Sequence, residues 1–150
     1  MSPGVRPTIR RAIDDDMQGI LTLLIKHALP SVPGRDDFDP AKTVTFIRSC
    51  LGTSIVADAA GDIVGVSLMI KGSPWYSSTE MLRGLVFYLR RDVRISDTGM
   101  RLGRATIRAA TRYNLPFVLE VTAGDDILRK DAFFRRLGMR ALGGTYIFGG

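Results

Sequence analysis

The sequence predicts an α/β (α+β) fold in which a mixed, mostly antiparallel central sheet is flanked by about four helices. Short apolar runs rich in β-branched residues alternate along the chain with segments whose apolar residues recur at helical spacing. Over residues 81–121 an apolar run, a polar loop with a glycine, a long helical segment and a second apolar run follow one another. This order of strand, helix and strand predicts a parallel strand pair joined by a right-handed crossover.

The length and composition are typical of one folded domain. The chain has 150 residues, of which 45% are hydrophobic and 24% charged, and this size suffices to bury a core without covalent staples. No apolar run reaches the roughly 18 residues that cross a bilayer, and the first residues lack the apolar stretch of a secretory signal. We therefore expect a single domain over residues 1–150, a cytoplasmic location and no membrane partner.

The net charge of +6 is unevenly distributed. Residues 1–82 contain 8 Lys and Arg against 9 Asp and Glu, whereas residues 83–150 contain 13 against 6. A basic C-terminal half suits a polyanionic ligand, and a mildly acidic N-terminal half suits a cationic substrate. An arginine-rich surface facing solvent is the alternative interpretation.

The first third of the chain predicts one strand and two helices. The strand covers residues 8–13, and the aspartates at 14–16 begin the first helix. Acidic residues in a first turn complement the helix dipole, so we assign no metal to them. Asp39 and Pro40 supply an N-cap and a first-turn proline for the second helix, which ends near residue 51.

The middle of the chain predicts antiparallel strands. Residues 54–59 and 63–70 are strand-like runs on either side of a turn at 60–62, which is a hairpin pattern. A loop that carries Trp75 leads to another strand at 81–89.

The last third predicts the helical crossover and a second helix. The long helix runs to Tyr113 and is followed by a nearly all-apolar strand at 117–121, as an interior sheet position requires. A helix over 127–137 is ended by Gly138, and residues 139–148 form one strand or two short ones.

The junction after the strand at 81–89 is suited to an anion. The first amides of a helix lack intrahelical partners and carry partial positive charge, and Gly99 lets phosphate oxygens approach them. Arg94, Ser96, Gly99 and Leu102 resemble the pyrophosphate-binding motif of the GCN5-related N-acetyltransferases (GNATs), in the variant found in phage-type members. That style of motif suggests a phage or bacterial origin.

A second segment strengthens the resemblance. Residues 132–139, Ala-Phe-Phe-Arg-Arg-Leu-Gly-Met, are similar to a GNAT segment of two aromatic, two polar, a leucine, a glycine and an apolar residue. The order of predicted elements is also similar to the GNAT fold over roughly residues 7–148. The resemblance implies that the parallel strand pair lies at a central splay of the sheet.

The resemblance implies acetyl-CoA as co-substrate and direct acetyl transfer to a primary amine. The amides from residue 98 to 102 bind the pyrophosphate, residues 87–89 line the splayed edge, and Arg94, Arg101 and Arg104 are partners for phosphates. The residues implied in cofactor binding are Phe87, Tyr88, Leu89, Arg94, Ser96, Asp97, Thr98, Gly99, Met100, Arg101, Leu102 and Phe134.

Candidate catalytic residues are Glu80, Glu120 and Tyr146. An ammonium must lose a proton before it attacks, so a carboxylate is a candidate base. Glu80, at the start of the fourth strand, is preferred; its alternative is a solvated strand-end residue. For Glu120, either burial raises the pKa of the carboxyl group into a range useful for a base, or the carboxylate only pairs with an arginine. Phe134 stands where many relatives have a tyrosine that protonates the thiolate, and Tyr146 is a candidate replacement.

The sequence leaves the roles of several single residues open. His27 and Cys50 are the only residues of their types, so no metal site is expected, and Cys50 is interpreted as a buried structural thiol. The loop aspartates Asp36 and Asp37 either attract a cationic amine or form turns. The acceptor is a small-molecule amine or a protein, and a homodimer is compatible with the sequence.

Two alternative functions come from other classes. Four arginines at near-helical spacing favour a nucleic-acid-binding module: Arg101, Arg104, Arg108 and Arg112. The substitutions in the GNAT motifs favour a catalytically impaired protein of the same fold that serves as a structural or interaction partner.

Overall fold

A five-stranded sheet forms the centre of the molecule. The computed structural model describes residues 5–32, 38–121, 126–146 and 148. Neighbouring strands are antiparallel up to the fourth, and the fourth and fifth are parallel. The strands are β1 (Thr8–Arg11), β2 (Ile55–Ala59), β3 (Asp62–Gly72), β4 (Met81–Leu89) and β5 (Phe117–Leu119). The predicted mixed sheet with one parallel pair is confirmed.

Four α-helices flank this sheet in the part of the chain that is described. They are α1 (Met17–Leu23), α2 (Pro40–Cys50), α3 (Thr98–Tyr113) and α4 (Ile127–Arg136), and α1 continues into a π-helical turn over Leu24–Ala28. Helices α1 and α2 pack on one face of the sheet, and α3 packs on the other. None of these helices is long and apolar enough to cross a membrane.

Local sequence signals account for several boundaries. The Asp39 carboxylate accepts the Lys42 amide at 3.0 Å, which confirms the predicted N-cap of α2. Ala60 and Gly61 take positive φ angles of 54° and 94° in the turn between β2 and β3, and this conformation favours glycine. Asn114 ends α3 in the left-handed conformation.

The two faces of the sheet bury separate apolar clusters. Leu68 belongs to the cluster under α1 and α2, whereas its neighbour Met69 belongs to the cluster under α3, as the pleat of a strand requires. The Thr106 hydroxyl of α3 lies 3.0 Å from the Ser67 hydroxyl of β3, and both are buried. Cys50 is fully buried and burial raises the pKa of its thiol, in agreement with a structural role.

The aspartates at the start of α1 have a more specific role than helix-dipole stabilisation. Asp16 is buried and accepts the Ile13 amide at 2.8 Å. Its carboxylate also lies 2.7 Å from the Arg10 guanidinium, which is 3.1 Å from Asp58. The hydrogen bond from Arg10 lowers the pKa of Asp16. This network ties β1 and β2 to the turn that begins the first helix.

Two predicted strands end early, and a third does not occur in the described residues. The strand expected at 8–13 ends at Arg11, and the one expected at 117–121 ends at Leu119. The strand or strands expected at 139–148 are wrong, because no strand occurs in the described part of that segment. Its described side chains are mostly exposed. The adjacent glycines Gly143 and Gly144 have no side chains that could pack against a neighbouring strand.

Candidate active site

The two parallel strands separate after a short paired stretch. Their register runs from Leu82 opposite Phe117 to Gly84 opposite Leu119, and the amide of Glu120 donates to the Gly84 carbonyl at 2.8 Å. Beyond this point β4 continues to Leu89 while β5 has ended. A V-shaped opening therefore forms between them, and we call its apex, at Gly84 and Glu120, the fork.

A β-bulge lies at the fork. On the other side of β4, Gly84 is opposite Met69 and Val86 is opposite Leu68, so Leu85 is an extra residue in β4. A bulge bends its strand and increases its twist, which directs the end of β4 away from β5. At Gly84 itself a Cβ atom would lie 2.6 Å from a Leu119 methyl carbon. Glycine is needed there for the two strands to approach before they part.

A pocket of about 160 Å³ occupies the opening. It is bounded by the end of β4, the loop that follows it, the first turn of α3 and one face of α4. Its lining residues are Phe87, Tyr88, Leu89, Arg94, Gly99, Val121, Asp126, Arg129, Lys130, Phe133 and Phe134. The ring of Phe87 lies 5.7 Å from that of Phe133 and 5.4 Å from that of Phe134, so three aromatic rings form one wall.

The start of α3 leaves backbone donors available at the mouth of the pocket. No side chain caps this helix, although Asp97 stands at the N-cap position. The Thr98 amide donates to Ser96 Oγ at 3.2 Å, and the Arg101 amide donates to the Asp97 carbonyl at 3.0 Å. Within the described residues the amides of Gly99 and Met100 have no acceptor. These two donors are available to an anion.

Arg94 is held at the edge of the same pocket. Its Nε donates to the Leu89 carbonyl at 2.7 Å, and its guanidinium carbon lies 5.2 Å from the centre of the Tyr88 ring. Both contacts fix the side chain where it lines the opening. The predicted phosphate partner is therefore placed beside the free amides of α3.

Other predicted cofactor-binding residues support the loop rather than line the pocket. The Ser96 hydroxyl lies 2.6 Å from the Val93 carbonyl and 2.9 Å from Thr98 Oγ1, so it shapes the turn before α3. Leu102 is fully buried in the core. Asp97 forms an exposed ion pair with Arg6, whose hydrogen bond lowers the pKa of Asp97.

The arginines of α3 are not part of this pocket. Neither Arg101 nor Arg104 lines it, so their role as phosphate partners stays a prediction.

The candidate catalytic residues lie at different places. Glu120 is at the fork, but it is half-exposed rather than buried, and its carboxylate pairs with Arg83 at 2.9 Å. Glu80 precedes β4 and is exposed, and it lies five positions before the bulge at Leu85, which is about 16 Å along an extended strand. Tyr146 is almost fully exposed and does not line the pocket. Asp36 and Asp37 lie outside the described residues.

Several pocket residues were missed by sequence reasoning. These are Val121, Asp126, Arg129, Lys130 and Phe133. The last four are three or four residues apart along the chain. Three of them therefore lie on one face of α4, and Asp126 stands at the N-cap position of that helix. That periodicity is visible in the sequence, but only the docking of α4 against β4 shows that this face meets the opening.

The architecture matches solved acetyltransferases. The Ard1 structure from Thermoplasma volcanium superposes with a TM-score of 0.66 at 22% identity, covering 89% of this chain and 82% of that one. An aminoglycoside acetyltransferase, meta-AAC0020, from an uncultured soil metagenomic sample gives 0.67 at 16% identity, covering 98% and 97%. AAC(6')-Iy, solved with a bisubstrate analogue of CoA, gives 0.67 at 15% identity, covering 96% and 97%.

These likenesses concern the fold. No protein-family model matches the chain, and no curated protein sequence matches it. The mixed sheet with its parallel β4 and β5 and its four helices is the GNAT fold.

Proposed function

We propose that this chain is an N-acetyltransferase that moves an acetyl group from acetyl-CoA directly to a primary amine. The V-shaped opening beside the uncapped start of α3 is the observation that carries the proposal. It combines an apolar wall with amide and guanidinium donors at its mouth. A thioester of a phosphate-bearing carrier needs both features at the two ends of one site.

The residues present fit such a carrier. The amides of Gly99 and Met100 and the guanidinium of Arg94 would bind the pyrophosphate, in a loop variant that resembles phage-type members. A Cβ at position 99 would lie 3.3 Å from Leu89 and 3.5 Å from Phe133, so a larger side chain would fill this space. The unpaired edge of β4 at residues 87–89 would hold the pantetheine arm.

When bound, acetyl-CoA supplies the electrophilic thioester carbon. We assign Glu120 to accept the proton that the ammonium form of the substrate must lose. Its backbone lies at the fork and its carboxylate faces solvent, outside the lining of the pocket. Arg83 orients it. Glu80 is the second candidate for this base. It would serve a longer acceptor substrate that extends along β4 to its first residues. Phe134 has no proton to donate, so water protonates the departing thiolate in the open pocket.

Calorimetric titration with acetyl-CoA tests the binding half of this proposal. Wild-type protein should bind with micromolar affinity, and Gly99→Glu should lose binding by more than a hundredfold because its carboxylate occupies the phosphate position. Gly99→Ala is the matched control, since its methyl group needs only a small shift of Leu89. Folded wild-type protein that fails to bind would overturn the proposal.

Thiol release in the presence of an amine panel tests the chemical half. The panel contains aminoglycosides, polyamines and short peptides with free N-termini. Glu120→Gln should lower kcat/KM at least tenfold, whereas Tyr146→Phe should leave it unchanged. A larger loss in Glu80→Gln than in Glu120→Gln would transfer the proposed role to Glu80.

A second candidate function is cofactor binding without transfer. The absence of a hydroxyl at Phe134 and the ion pair that engages Glu120 favour it. Such a protein would act as an interaction partner with the GNAT fold. Tight acetyl-CoA binding without turnover on any amine in the panel is the result that would select this alternative.

A further inference from the structure

A groove lies on the side of α3 opposite to the cofactor pocket. It runs between α3 and the first two strands, and it has a volume of about 410 Å³. Its lining residues are Ile9, Arg10, Arg11, Thr53, Ser54, Ile55, Ala105, Arg108, Ala109, Arg112 and Tyr113. The groove shares no residue with the pocket between β4 and β5.

The groove is positively charged. Arg108 and Arg112 come from α3 and Arg11 comes from β1, whereas the charge of Arg10 is already matched by Asp16 and Asp58. No acidic side chain is among the lining residues. Neither of the two α3 arginines forms an ion pair with any residue in the described ranges. These cations are available to an external anion.

A third arginine, Arg101, lies on the same side of α3 but does not line the groove. At 100° per residue, Arg101, Arg108 and Arg112 lie within about 40° of one another around the helix. Arg101 Nη1 is buried and has no hydrogen-bond partner in the described part of the chain.

We propose that this groove binds the phosphodiester backbone of a single-stranded nucleic acid. Arg108 and Arg112 are about 6 Å apart along the helix axis, and successive phosphates present negative charges to such a row. Tyr113, with the ammonium of Lys71 4.5 Å from its ring centre, adds an aromatic surface at one end. A basic groove that ends at an aromatic ring is the pattern of single-strand binding.

This site is independent of the proposed acetyltransferase function. Its residues do not touch the cofactor pocket, so nucleic-acid binding does not require acetyl-CoA. Saturating CoA is therefore the critical competitor. A strand in the groove stays bound when CoA is added, whereas a strand that sits on the phosphate loop of α3 is displaced.

Fluorescence anisotropy with labelled 20-nucleotide RNA and DNA single strands of one mixed sequence tests the proposal. The double variant Arg108→Gln and Arg112→Gln should weaken binding at least tenfold at 50 mM salt. It should also reduce the slope of log K against log salt by about 1.4, since two phosphate contacts are lost. The control pair Arg48→Gln and Arg136→Gln removes the same charge from exposed sites outside the groove.

The outcomes separate clearly. Weaker binding by the Arg108→Gln and Arg112→Gln variant, but not by the control variant, supports the site. The strand that binds wild-type protein more tightly identifies RNA or DNA as the source of the backbone. Arg11→Gln, on the opposite wall, should also weaken binding. No binding of either strand, equal losses in both pairs, or displacement by CoA would each overturn the proposal. Circular dichroism of every variant checks that folding is retained.

Discussion

The β2–β3 hairpin and the β4–β5 pair belong to one sheet but differ in how fully they are paired. The hairpin pairs from Ile55 opposite Ser67 to Ala59 opposite Asp62, and helices cover both of its faces. The β4–β5 pair has three residues of register, and every residue of β5 is only half-buried. One region completes its own contacts, whereas the other leaves the opening that we propose as the ligand site.

Their polar groups differ in the same way. The Ser54 hydroxyl lies 2.6 Å from the Cys50 carbonyl and accepts the Met69 amide at 3.0 Å, so it is fully engaged. The amides of Gly99 and Met100, beside the open pair, have no acceptor in the described structure. The comparison indicates that stability depends mainly on the hairpin side of the sheet and ligand binding on the open side.

The largest expected effect is on the closed side. Leu68→Ala removes a fully buried side chain from the cluster under α1 and α2, and it should lower the free energy of unfolding by about 2–5 kcal/mol. Urea denaturation measures this loss. The folded fraction should keep its affinity for acetyl-CoA, and a variant that is stable but binds poorly would break the comparison.

A change at the fork should affect both properties. Gly84→Val places a side chain where a Cβ already lies 2.6 Å from Leu119, and such overpacking should cost about 1–3 kcal/mol. The strands must move apart, so acetyl-CoA affinity should fall as well. Thermal unfolding and calorimetry measure the two effects, with Gly52→Val as control, because nothing lies within 4 Å of its Cβ.

Acid should weaken the closed side through Asp16. Its pKa is lowered in the folded state by the hydrogen bond from Arg10, so its stabilisation is present above the ordinary carboxyl pKa and is lost as the pH falls through the lowered value. Asp16→Asn should therefore cost about 1–3 kcal/mol at pH 7 and progressively less toward pH 2. Urea titrations across this range test it, with Asp15→Asn, which removes the same charge from an exposed position, as the control.

The smallest effect on stability is expected at the fork ion pair. Arg83 and Glu120 are both more than a third exposed, so Arg83→Gln should change the free energy of unfolding by less than about 1 kcal/mol. If Arg83 orients Glu120 for proton transfer, Arg83→Gln should also lower kcat/KM several-fold. An unchanged kcat/KM would remove Arg83 from the proposed mechanism.

Local chemistry in the sequence was sufficient for much of the fold. The bounds of β4, the Asp39 cap of α2 and the turn at Ala60 and Gly61 follow from residue types and spacing. The parallel pairing of β4 and β5 followed from the order of strand, long helix and strand along the chain. The expected strand after residue 138 failed because strand formation needs a partner edge, which local propensity does not supply.

The sequence by itself determined the order of elements, the buried faces of the strands and the glycine at the start of α3, because these depend on neighbours along the chain. Only the tertiary structure decided the features of the site. The bulge at Leu85, the Phe133 wall and the pairing of Glu120 with Arg83 each join residues far apart in sequence. The same is true of the basic groove, because its walls come from α3 and β1, and only the packed sheet brings them together.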